Sequence, residues 1–153
     1  MTGISACANL PISIAQRQRS AAERRLRKVI SPRIEVVKAP SPGPGTALML
    51  WAEFEGSIAG FTSLGEKGKP AEVVGEEAAQ ELLEFLQTGA AVDHHMADQL
   101  IPIMALAKGG SAITTSRITQ HLLTNIWVTE KFLDVKFEVK GEPGSPGEVR
   151  VVA

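Results

Sequence analysis

The spacing of hydrophobic and polar positions changes several times along the chain, and each change marks an element. Residues 3–9 (Gly-Ile-Ser-Ala-Cys-Ala-Asn) read as a strand. Pro11 suits the first turn of a helix, and Ala15, Ala22, Leu26 and Val29 follow at spacings of seven, four and three, which predicts a helix ended by Ser31-Pro32. Arg33–Lys38 alternates as a strand before a Pro/Gly loop at 39–45. Residues 46–55 and 57–64 are apolar runs broken at Gly56-Ser57, a predicted hairpin with Leu48, Leu50, Ala52 and Phe54 on one face. Pro70 opens a third predicted element, a helix with Val73, Val74, Ala78, Leu82, Leu83 and Leu86 inward, glutamates 72, 76, 77, 81 and 84 outward, and Gly89 closing it.

The second half repeats the helical period twice. Asp93 is a predicted N-cap for a helix in which Met96, Leu100, Ile103, Met104 and Leu106–Ala107 recur at three- and four-residue steps until Gly109-Gly110. A short strand at 111–115 leads to another helix starting near Thr119, with Leu122, Leu123, Ile126, Trp127, Phe132 and Leu133 read as its buried side. Residues 134–140 alternate, 142–147 turn, and 148–152 return as the second arm of a hairpin. The pattern predicts an α/β (α+β) fold with two lobes, a β-α-β-β-β-α lobe at 1–88 and an αβ unit at 89–153, joined near Thr88–Ala91.

Composition bounds the function classes. A chain of 153 residues, 44% hydrophobic and 22% charged, can bury a real core. Its formal net charge of −1 gives no global attraction to nucleic acid or membrane, so a polyanion site requires local clustering. Such a cluster exists on the first helix, where Arg17, Arg19, Arg24, Arg25, Arg27 and Lys28 against Glu23 leave +5. It reads either as an RNA-backbone patch or, with greater weight, as a solvated face whose cations sit near the helix C-terminus. Cys7 stands alone, which excludes an internal disulfide. The chain has neither an apolar run of about 20 residues nor a signal-peptide pattern, so the expected location is cytoplasmic and no membrane partner is expected. An aromatic content of 5% argues against base-stacking platforms.

Candidate chemistry collects at the three histidines. His121 falls in the first turn of its helix, where unpaired backbone N–H groups hold anions and disfavour a charged ring, so a neutral imidazole stands beside a phosphate cradle. That arrangement suits nucleophilic attack at phosphorus, although a histidine at this position is more often a surface or capping residue. His94, His95 and Asp98 supply too few ligands for zinc and lack the His-Glu-x-x-His spacing, whereas Asp98 alone suits Mg²⁺ or Mn²⁺ carried by a nucleotide. Gly65-Glu-Lys-Gly68 lacks the spacing of a phosphate loop and reads as a turn, and no nucleophile elbow surrounds Ser111, Thr114 or Thr115.

The words His95-Met-Ala-Asp-Gln-Leu-Ile-Pro, Ala105-Leu-Ala and His121-Leu-Leu-Thr-Asn-Ile, in that order and spacing, resemble RNA 3'-terminal phosphate cyclases. The resemblance covers nearly the whole chain. It implies that 1–88 corresponds to most of an insert domain and 89–153 to the last repeat of a catalytic core. It also implies that His121 takes AMP from ATP, that His95, Met96, Ala97, Asp98 and Gln99 line the nucleotide site, and that Asp98 helps hold the divalent ion. The implied enzyme is a ligase that converts an RNA 3'-phosphate to a 2',3'-cyclic phosphate. Family members are considerably longer, and their glycine-rich and arginine-bearing N-terminal segments have no counterpart here. The resemblance therefore implies the C-terminal part of a truncated or split reading frame, a separately encoded N-terminal half as partner, weak activity of the chain alone, and self-association through exposed apolar surface. A non-catalytic RNA-processing or ribosome-assembly protein and an inactive fragment are the alternatives.

Overall fold

A computed structural model describes residues 1–152, which divide into two units, 1–84 and 85–152. The first holds β1 (Thr2–Ala8), α1 (Ile12–Leu26), β2 (Arg33–Lys38), β3 (Gly45–Glu53), β4 (Ile58–Leu64) and most of α2 (Ala71–Thr88). Its sheet has the order β2-β1-β3-β4; β1 and β2 run parallel across the α1 crossover, and the other pairs are antiparallel.

Alternation decides which face of this sheet is buried. Leu48 lies opposite Ser5 and Ser63, Leu50 opposite Gly3 and Phe61, and Ala52 opposite Ala59, so one side of the pleat is continuous. These positions are all buried, together with Ala15, Ala22 and Leu26 of α1 and Val74, Ala78 and Leu82 of α2. Gln18 is fully buried among them, its Oε1 accepting hydrogen bonds from the hydroxyls of Ser5 (2.9 Å) and Thr46 (3.0 Å). The two helices approach closely at Gly75, where an added Cβ would lie 2.1 Å from the Gln18 carbonyl oxygen. Ion pairs close the outer side of that contact. Arg17 donates to both Glu72 carboxylate oxygens at 2.7 and 2.8 Å, which holds Glu72 down at about 2, and Arg24 lies 3.8 Å from Glu76.

The second unit holds α3 (His94–Leu106), β5 (Ala112–Thr115), α4 (Gln120–Phe132), β6 (Lys136–Lys140) and β7 (Gly147–Val152), the strands forming an antiparallel sheet of order β5-β7-β6. Ala97, Ile101, Met104, Ile118, Leu122, Ile126 and Val149 form its core, with Ile113, Phe137, Val139 and Val151 packed against them from the sheet. The opposite sheet face carries the exposed Lys136, Glu138, Lys140 and Arg150.

Element types and order follow the expected β-α-β-β-β-α and αβ patterns, but several faces and ends differ. Helix α1 ends at Leu26 rather than at Ser31-Pro32, leaving Val29 64% exposed in the following turn. Phe54 lies beyond the end of β3 and is exposed, and Val73 sits on the rim of α2. In α3 the buried stripe is Ala97, Ile101 and Met104, so Met96, Ile103 and Leu106 are exposed; in α4 it is Leu122, Ile126 and Thr129, so Trp127 and Phe132 are exposed. The reason is geometric: one stripe of each helix turns toward the core of the unit, and the apolar residues off that stripe are left on the flank. Among the described residues no helix is long and apolar enough to cross a membrane.

Candidate active site at two adjacent helix starts

Both helices of the second unit start from the same end. Just before them, Val92 and Thr115 form an isolated parallel bridge: the Val92 N–H donates to the Thr114 carbonyl and the Ser116 N–H to the Val92 carbonyl, each at 3.1 Å. Parallel entry segments send α3 and α4 off in the same direction. Asn125 then couples them, its Nδ2 donating to the Asp98 carbonyl at 3.0 Å. One turn back from each partner lie His94 and His121, so this register sets the first turns of the two helices at one level.

The two helix starts differ electrically. The buried Asp93 carboxylate accepts from the His95 and Met96 amides at 2.8 and 2.9 Å, which already satisfies the positive end of α3. At α4 the cap is the neutral Thr119 hydroxyl, which accepts only from Leu122 N at 3.1 Å, and the first turn has no acidic residue. The first helical bond runs from Leu123 N to the Thr119 carbonyl, so the Gln120 and His121 amides precede it. An anion is therefore better received at α4, where His121 is exposed at the second helical position.

The His94 and His95 rings lie with centroids 4.0 Å apart, tilted by 38° to one another. Burial pushes the His94 imidazole below its ordinary value, with smaller contributions in the same direction from His95 and the Arg117 guanidinium and opposing ones from Asp93 and Asp98. His95 and Gln99 are exposed and Asp98 is half-buried, whereas Ala97 is wholly inside the core. Five consecutive helical residues point all round the axis, so 95–99 cannot all face one ligand: His95 and Asp98, three apart, share a side, and Met96 lies on another. Among the described residues no three His, Cys, Asp or Glu side chains converge as metal ligands. Asp98 suits an ion that takes most of its ligands from phosphate and water.

Asn125 stands within the word His121-Leu-Leu-Thr-Asn-Ile, but nothing in that word announces its bond to Asp98. Asn125 offers no pattern of its own, since its role is a tertiary hydrogen bond.

The described residues form a mixed α/β chain with a histidine in the first turn of each of two neighbouring helices. A family model for the insert domain of RNA 3'-terminal phosphate cyclase matches residues 1–87. The chain is 50% identical over 152 residues to the RNA 3'-terminal phosphate cyclase of Thermococcus kodakarensis, covering 98% of this chain and 44% of that protein. Its likeness to the proteins of the same name from Methanopyrus kandleri (46% identical, covering 97% of this chain and 45% of the relative) and Pyrobaculum aerophilum (46%, 94% and 42%) has the same extent. The chain belongs to the RNA 3'-terminal phosphate cyclase family, and it spans less than half the length of the curated relatives it matches.

Proposed function

We propose that this chain carries the nucleophile of an ATP-dependent RNA 3'-terminal phosphate cyclase, and that the nucleophile is His121. The observation supporting this most directly is its position in the first turn of α4, beside amides that precede the helix's first hydrogen bond and level with His94 on α3. A ring nitrogen of His121 attacks the α-phosphorus of ATP; a P–N bond forms, the P–O bond to the β-phosphate breaks, and pyrophosphate leaves. An oxygen of the RNA 3'-phosphate then takes AMP from His121, and attack by the adjacent 2'-hydroxyl closes the 2',3'-cyclic phosphate and releases AMP.

The α4 N-terminus receives phosphate charge, and the His95 and Asp98 side chains flank the nucleotide. A divalent ion, with Asp98 as its protein ligand, would neutralise phosphate charge during the transfer. Residues 1–87 act as the insert domain, and the portion of the relatives that this chain does not match supplies the other side of the nucleotide, in a partner polypeptide or an attached segment.

The test is conversion of an RNA 3'-phosphate to a cyclic end by the chain combined with the unmatched portion of the Thermococcus kodakarensis relative. The combination should turn over, the chain alone should be at least about 100-fold slower, and His121→Ala should abolish turnover. Turnover retained by His121→Ala would move the chain to a non-catalytic RNA-processing role.

A further inference from the structure

We propose that Asn125 is a positioning residue of this site: it supplies the hydrogen-bond donor that Pro102 denies to the Asp98 carbonyl, and so fixes α4, with His121, against α3, with Asp98. The proposal rests on the reading of His121 and Asp98 above and extends it to the way the two helices are held. Pro102 stands inside α3. In a regular helix the carbonyl of residue 98 accepts the amide proton of residue 102; a proline has none to give, and its ring crowds that same carbonyl. Asp98 is half-buried, so leaving this carbonyl unpaired is costly.

The replacement comes from α4. Asn125 Nδ2 donates to the Asp98 carbonyl at 3.0 Å, and since a carbonyl oxygen only accepts, the nitrogen is the end of the amide that must face it. Asparagine is a poor helix former, yet Asn125 sits half-buried in the middle of α4, flanked on the same helix by the core residues Leu122 and Ile126. Propensity and burial both disfavour it there, and the bond to α3 offsets both.

This tie coincides in register with the candidate chemistry. On α4, His121, Asn125 and Thr129 follow at steps of four; Thr129 is buried and Asn125 half-buried, so His121 is the exposed outer end of the row. On α3 the carbonyl that receives the bond belongs to Asp98 itself, so the backbone carrying the candidate ion ligand is fixed by the helix carrying the nucleophile. Such a bond resists sliding of one helix along the other, because its limits of distance and angle are narrow. In-line transfer is sensitive on that scale, a misplacement of about 1 Å costing roughly a hundredfold in rate.

Two substitutions separate the hydrogen bond from the positioning it provides. Pro102→Ala returns an amide proton to the Asp98 carbonyl from within α3, and Asn125→Leu removes the donor on α4. All three histidines lie in the second unit, so their ring C–H signals in NMR report its folding. Asn125→Leu alone should lower the thermal midpoint of this unit by about 4–8 °C; in the Pro102→Ala background the same change should cost much less, because the carbonyl keeps a partner. Adenylylation should respond differently. With α-labelled ATP and a divalent ion, in the chain combined with the unmatched portion of the Thermococcus kodakarensis relative, Asn125→Leu should slow labelling of His121 about tenfold to a hundredfold. Pro102→Ala should not restore that rate, because a bond internal to α3 holds nothing on α4. The loss should fall on the maximal rate more than on the ATP concentration that gives half of it. An equal thermal cost of Asn125→Leu in both backgrounds would overturn the replacement of the missing donor, and labelling at the native rate by the double variant would overturn the positioning role. Label on a residue other than His121 in the native chain would refute the nucleophile reading and with it the catalytic half of this proposal, whereas the stability comparison needs no ATP and decides the tie separately.

Discussion

His94 records the electrostatics of the site in a measurable way. Burial first, and the neighbouring His95 and Arg117 second, hold its folded value below the ordinary one of about 6.5. Because the folded value is depressed, the unfolded chain binds the proton more readily. The stability this residue contributes is therefore fully present above about 6.5 and is lost as the pH falls through the folded value. Histidine NMR titration of the native chain should place His94 below that ordinary value, and Arg117→Ala should move it upward. An unmoved midpoint would separate Arg117 from the histidines.

At the scale of elements, the contact between α1 and α2 depends on Gly75. Alanine would gain about 0.5–1 kcal/mol of helix propensity there, but its Cβ would lie 2.1 Å from the Gln18 carbonyl oxygen, a backbone atom that cannot turn aside. Overpacking of that kind costs about 1–3 kcal/mol, so Gly75→Ala should lower the denaturation midpoint despite its better propensity; an unchanged or raised midpoint would refute the tight contact. Elements of this kind were legible because they depend on local period: Asp93 caps the helix it was expected to cap, α4 starts next to the expected Thr119, and β2 spans the expected Arg33–Lys38. Helix faces were less legible. In α3 and α4 apolar residues occupy more than one side, and the sequence does not say which side meets the sheet, so Trp127 and Phe132 were read inward although they are exposed. Of the site, the histidines and Asp98 could be read from words and spacing. The parallel bridge at Val92 and Thr115 and the Asn125 tie depend on segments distant in sequence, which no local period encodes.

At the scale of the whole molecule, the second unit leaves Ile103, Leu106, Trp127 and Phe132 at 61–84% exposure while its open sheet face is charged. Apolar surface of this extent favours association. Sedimentation of the chain should show concentration-dependent oligomers, and the double change Ile103→Gln, Phe132→Gln should shift them toward monomer without loss of helix; a native chain that stays monomeric at every concentration would contradict this expectation. The central claim remains the identity of the nucleophile, and covalent trapping tests it most directly. Incubated with α-labelled ATP and a divalent ion, in the presence of the portion of the cyclase that this chain does not match, the protein should acquire an acid-labile, base-stable AMP on His121. His94→Ala should retain that label, and His95→Ala and Asp98→Ala should acquire it more slowly. Label mapped to another residue, or persisting in His121→Ala, would contradict the account.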